Sequence, residues 1–143
     1  MKRMFVLVFA VLGLTVSACT SSPAPDAPQE VVVTSTDLAY DTERVEVKAG
    51  RPVALTLRND GALEHDFSVM HIPAEITAAE EEEDDGHDMG HMDEMPELHV
   101  SAMPGKSNSV SFTPTEAGEY HFFCTVEGHE AAGMSGTLVV TSG

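Results

Sequence analysis

Tryptophan is absent from this 143-residue chain, and cysteine occurs only twice, as Cys19 and Cys124. Two cysteines permit one disulfide at most, which excludes a small scaffold held by many cross-links. Basic side chains are scarce as well. Seven Lys and Arg stand against 24 Asp and Glu, a formal charge of −17. A chain so acidic repels the phosphate backbone, so no nucleic acid is expected as a partner. Long apolar runs are missing too. The one marked run, residues 5–16, is too short to cross a bilayer. What remains is enough sequence for one domain.

The short run has a purpose of its own. Lys2 and Arg3 precede it, and Val16-Ser17-Ala18-Cys19 closes it with small residues and a cysteine. That is the grammar of an export signal over residues 1–18. The small residues ending on cysteine resemble a bacterial lipobox, which implies that Cys19 is lipidated and becomes the mature N-terminus. Cleavage would remove Lys2 and Arg3, leaving five basic and 24 acidic side chains and a formal charge of −19. Residues 19–30, rich in Pro, Ser and Ala, read as lipid anchor and linker. The expected location is exported and membrane-anchored, facing the periplasm or the cell exterior. The acyl chains would make the membrane contact, since an acidic body is repelled by anionic headgroups. With Cys19 acylated, Cys124 has no disulfide partner, and an unpaired thiol in an oxidising compartment needs another use. Metal ligation is one. A Cys19–Cys124 disulfide is the alternative, and it leaves the surrounding His and Met spacing unexplained.

Residues 31–72 alternate with a period of two. Val45 and Val47 alternate with Glu46 and Lys48, and Val53, Leu55 and Leu57 alternate with Ala54, Thr56 and Arg58. Turn signals at Ala49-Gly-Arg-Pro52 and Asn59-Asp-Gly61 break these runs. Leu98 and Val100, Val110 and Phe112, residues 120–124 and residues 137–140 resume the pattern. About eight strands result, an all-β, Greek-key β-sandwich over residues 31–143.

Residues 74–97 interrupt it. Eleven acidic residues fall within 75–97, six of them unbroken over 80–85. His87, Met89, His91, Met92 and Met95 follow. Mutual repulsion and few apolar anchors predict a mobile loop inserted between two strands. Thioethers prefer Cu(I) and imidazole takes either state, so these five residues form a candidate second copper site. The plain alternative is an acidic solvating loop.

The densest chemistry lies in Cys124-Thr-Val-Glu-Gly-His129-Glu-Ala-Ala-Gly-Met134. A thiol, an imidazole and a thioether share one loop between two strands. Two His, one Cys and a weak axial Met suit copper in an electron-transfer site. His65, after the Asn59-Asp-Gly61 turn, is the best-placed second imidazole. Taken singly, His65 reads equally as a surface histidine and Met134 as a core methionine. Zinc is a further alternative, although structural zinc favours more cysteines at paired short spacings.

The segment from Gly118 through Val140 resembles the metal loop of the plastocyanin/azurin family of cupredoxins, auracyanin-like and halocyanin-like members especially. Val53-x-Leu-x-Leu-x-Asn59-x-Gly61 and His65-Asp-Phe resemble its first-ligand region. The resemblance covers roughly residues 31–72 and 98–141. It implies an eight-stranded Greek-key sandwich with one type 1 copper held by His65, Cys124, His129 and Met134. It implies one-electron transfer rather than catalysis, and a polar residue at Asp66 that ties the ligand loops together by accepting a hydrogen bond from the backbone or from Thr125. For Asp66 the alternative is a solvated aspartate. Phe123, beside the ligand cysteine, would sit at an electron exit, and Ala131, Ala132 and Gly133 would leave a flat apolar surface beside His129.

Three functions follow. The first is an electron carrier, a monomer meeting a redox protein with a basic surface, which the acidic surface would steer. Charge that serves only solubility is the alternative. The second is a periplasmic copper carrier or metallochaperone using the His/Met-rich insertion, with additional Cu(I) bound there. A copper enzyme is the third, and one short chain leaves little room for its second, catalytic copper.

Overall fold

The computed structural model describes residues 27–80 and 94–143, and every regular element among them is a strand. In order they are β1 (Gln29–Thr36), β2 (Ala39–Tyr40), β3 (Arg44–Lys48), β4 (Val53–Asn59) and β5 (His65–Val69). Then come β6 (Ala74–Glu80), β7 (Leu98–Ala102), β8 (Ser107–Pro114), β9 (Gly118–Phe123) and β10 (Ser135–Thr141). They form two five-stranded sheets, β2-β1-β4-β8-β6 and β3-β10-β9-β5-β7. The β1–β4 and β3–β10 pairs are parallel and the remaining pairs antiparallel.

The alternating residues form the core. Val45 and Val47 of β3, Val53, Leu55 and Leu57 of β4, and Leu98 and Val100 of β7 are buried between the sheets. Phe67 stacks on Phe122 at 4.5 Å, and Tyr40 meets Phe122 edge-on at 5.4 Å. Each fully buried aliphatic or aromatic side chain contributes about 1.5–3 kcal/mol relative to exposure.

Ten strands stand where about eight were expected, and one of the additions corrects the reading of residues 74–97. The first seven of those residues are not loop. They form β6, which pairs antiparallel with β8 through a bulge between Ile76 and Ala78. An edge strand draws on main-chain hydrogen bonds and needs few apolar side chains, so its sequence signal is faint. Ile76 is accordingly exposed. Residues 81–93, including His87, Met89, His91 and Met92, lie outside the described residues, as do the signal segment and Cys19. Met95 is described and is exposed.

The sandwich has two distinct ends. β1 enters at the end marked by the Gln29 N–H to Pro52 carbonyl bond and the Thr115 N–H to Pro73 carbonyl bond. β4 runs from that end to Asn59, whose side-chain amide donates to the Leu63 and Ala102 carbonyls at 2.7 and 2.8 Å. His65 pairs with Ala102. His65 therefore stands at the end opposite the entry of β1.

Candidate metal centre

His65 begins β5 and Cys124 follows the last residue of β9. β5 and β9 are neighbours in one sheet. The loop between β9 and β10 is closed at its neck by Cys124 N–H to the Met134 carbonyl, 3.1 Å. Inside it, His129 N–H donates to the Val126 carbonyl, and Met134 N–H to the His129 carbonyl, both at 3.0 Å. Gly133 takes φ 104°, a conformation that side chains disfavour, just before Met134. The loop is thus bent back so that its thiol and imidazole face β5.

One donor atom from each of His65, Cys124 and His129 lies within 4.8 Å of the others. Cys124 Sγ is 3.5 Å from His129 Nδ1, and the two imidazole rings are 5.0 Å apart. His65 and Met134 are 0 % exposed, Cys124 1 % and His129 6 %. Both ring nitrogens of His65 are buried and have no hydrogen-bond partner among the described residues. Its Nε2 edge lies against the Gly61 turn, where an added Cβ would meet it at 3.1 Å. An orphaned buried donor costs about 1–3 kcal/mol, so these nitrogens call for a ligand. A thiol, two imidazoles and a buried thioether make a donor set that fits copper.

Asp66 is buried beside the cluster. Its carboxylate accepts Thr125 N–H at 3.0 Å on both oxygens, Thr125 Oγ1–H at 2.7 Å and Ser68 Oγ–H at 2.7 Å. Cys124 Sγ lies 3.7 Å from Oδ2. The Asp66 main-chain carbonyl accepts the Tyr40 hydroxyl. Ser68, with its proton committed to Asp66, accepts from His99 Nδ1 at 2.8 Å. Without metal, burial first and the Asp66 charge second push the Cys124 thiol up to about 12, against a pull from the Asp66 and Val126 amides. Burial, then the neighbouring His129, lowers the His65 imidazole. Burial also raises the Tyr40 hydroxyl. Burial thus holds the metal-free Cys124 thiol and His65 imidazole toward their neutral forms.

The cupredoxin-like domain model matches residues 6–140. The chain belongs to the cupredoxin-like family. Among the relatives of this cupredoxin is the copper-resistant cuproprotein CopI of Pseudomonas aeruginosa, 30% identical over 142 aligned residues. That match covers 82% of this chain and 78% of the relative. The CopI of Rubrivivax gelatinosus is 33% identical over 109 residues, 76% of this chain and 64% of the relative. Among solved structures, reduced auracyanin from Roseiflexus castenholzii has a TM-score of 0.60 at 25% identity, covering 80% of this chain and 98% of that one.

Of the residues singled out in the sequence, this cupredoxin brings His65, Cys124 and His129 together, with Met134 buried at the loop neck. Phe123 lies on the face of β9 away from the core residue Phe122 but is covered, with its ring stacked on His121 at 5.6 Å. His121 Nε2 meets Glu130 Oε1 at 2.9 Å. Ala131, Ala132 and Gly133 are exposed next to His129, and Leu63 and Met103 are exposed at the same end. Met95 stands apart from the cluster, near the other end, where Glu94 and Glu97 flank His71 at 3.8 Å each. Tyr40, Asn59, Ser68 and His99 escaped the sequence reading as supports of the site. The Asn59-x-Gly61 turn and the period-two placement of Ser68 beside Asp66 were the available signals.

Proposed function

We propose that this cupredoxin is a blue copper protein that carries single electrons between redox partners outside the cytoplasm, and that it is not an enzyme. His65, Cys124 and His129 would hold the metal, with Met134 as the weak axial donor. The observation that carries the reading is the pair of unpartnered, buried His65 nitrogens facing a buried thiol and a second imidazole. A copper ion supplies a one-electron couple there. This chain's residues would do the rest. The hydrogen-bonded loop fixes the donors, so little has to move when charge changes. Burial keeps water off the thiolate. Exposed Ala131, Ala132 and Gly133 would let a partner approach His129 closely.

The partner would be a redox protein with a basic surface, and the carrier a monomer. Cys19 would carry the lipid anchor. Because β1 enters at the far end, a tethered domain would present the metal end away from the membrane. The test is the visible and electron paramagnetic resonance spectrum of the copper-loaded protein. An intense thiolate-to-Cu(II) band that survives redox cycling is expected, and its absence would overturn the reading.

A second reading is a copper carrier, with further Cu(I) held by His87, Met89, His91, Met92 and Met95. The names of the CopI relatives, copper-resistant cuproproteins, favour it. Copper that leaves readily for an acceptor protein, and a stoichiometry above one that falls to one on deleting 80–96, would establish it over the first.

A further inference from the structure

We propose that Asp66 biases the cluster toward the divalent metal, so that Cu(II) is held more tightly relative to Cu(I) than a neutral side chain would allow. The inference rests on the copper reading above.

Position comes first. Asp66 follows His65 directly, is fully buried, and has Oδ2 3.7 Å from Cys124 Sγ. Its hydrogen bonds then identify its form. Thr125 N–H, Thr125 Oγ1–H and Ser68 Oγ–H all converge on the two oxygens. An ionised carboxylate only accepts, so a ring of donors is the setting of the charged form. Among the described residues, no Lys or Arg forms an ion pair with that carboxylate. The ion pairs of Arg44 and Arg58 go to Glu46, Glu119 and Asp60, on the exposed surface. A negative charge out of water acts strongly on charges a few ångströms away.

Reduction moves one electron from a reduced partner centre to Cu(II), giving Cu(I). No bond is made or broken, and the charge of the site falls by one. Adding that negative charge beside Asp66 is resisted, so the site favours Cu(II). An asparagine would keep the shape and the carbonyl acceptor for Thr125 N–H while removing the charge. A merely structural role would therefore leave the redox balance unmoved in Asp66→Asn.

The experiment compares copper-loaded wild-type protein, Asp66→Asn and Ser68→Ala by spectroelectrochemistry, and by competition with Cu(I)- and Cu(II)-selective chelators. Asp66→Asn is expected to raise the Cu(I)/Cu(II) affinity ratio at least tenfold, about 59 mV upward for one electron. Ser68→Ala removes a donor but keeps the charge, so its potential is expected to stay or fall. An unchanged or lowered potential in Asp66→Asn with the visible band intact overturns the proposal. If Asp66→Asn fails to fold or load, Ser68→Ala decides: a potential that stays or falls supports the proposal, and a rise overturns it. A wild-type protein without a thiolate-to-Cu(II) band overturns the copper reading itself, and this inference with it.

Discussion

β4 and β5 follow one another in the chain and bury their residues differently. β4 buries every second residue, Val53, Leu55, Leu57 and Asn59, and leaves Ala54, Thr56 and Arg58 more open. β5 buries all five, His65, Asp66, Phe67, Ser68 and Val69, although three of them are polar. A strand that buries polar groups must satisfy them, since desolvation is otherwise uncompensated. Asp66 and Ser68 are satisfied by Thr125 and His99. His65 is not, and that single shortfall marks where a ligand belongs. β4 shows what folding alone requires, and β5 shows what the site adds.

The comparison breaks most completely at His65. His65→Ala is expected to abolish the thiolate-to-Cu(II) band while circular dichroism still reports a β-sandwich. The matching change in β4, Leu57→Ala, should leave the band in place and cost about 2–5 kcal/mol in denaturant unfolding. Smaller is Asp66→Ala, which strands the Thr125 and Ser68 donors. A loss of about 1–3 kcal/mol is expected in the metal-free protein.

A pH titration sharpens the contrast further. The unfolded thiol ionises near 9.0, whereas the folded Cys124 thiol holds its proton up to about 12. Between these values the unfolded chain binds fewer protons, so the metal-free protein loses stability as pH rises through that window. Tyr40 acts in the same direction above the ordinary phenol range. The unfolding midpoint should therefore fall more steeply from pH 9 to 12 in the wild type than in Cys124→Ala, which retains Tyr40. The smallest effect belongs to the outer face of β4. Thr56→Val removes the 2.8 Å bond to Ser109 and should cost no more than about 1 kcal/mol, with the copper spectrum unchanged.

How much could be read in the sequence depended on how local each interaction is. β3 and β4 declared themselves because alternation is a property of neighbouring residues. The 124–134 loop did so because three donors lie within eleven positions. β6 did not, since Ala74–Glu80 has few strand formers, adjoins an acidic run and depends on β8 for its hydrogen bonds. The support around Asp66 was legible only in part. Its Thr125 partner, 59 residues away, is reached only through the family resemblance, and the Tyr40 hydroxyl, which reaches its carbonyl from 26 residues upstream, carries no signal at all. Such pairings are set by sheet order, which local periodicity does not encode. The stacking of His121 on Phe123 is of the opposite kind, since the two stand two positions apart on β9 and alternation alone puts them on one face.

Copper-edge X-ray absorption of the protein loaded with one equivalent of Cu(II) tests the shared-ion account most directly. One short sulfur from Cys124 and two imidazole nitrogens are expected, with the short-sulfur signal lost in Cys124→Ser. A copper environment built only from nitrogen and oxygen, unchanged in that variant, would contradict it.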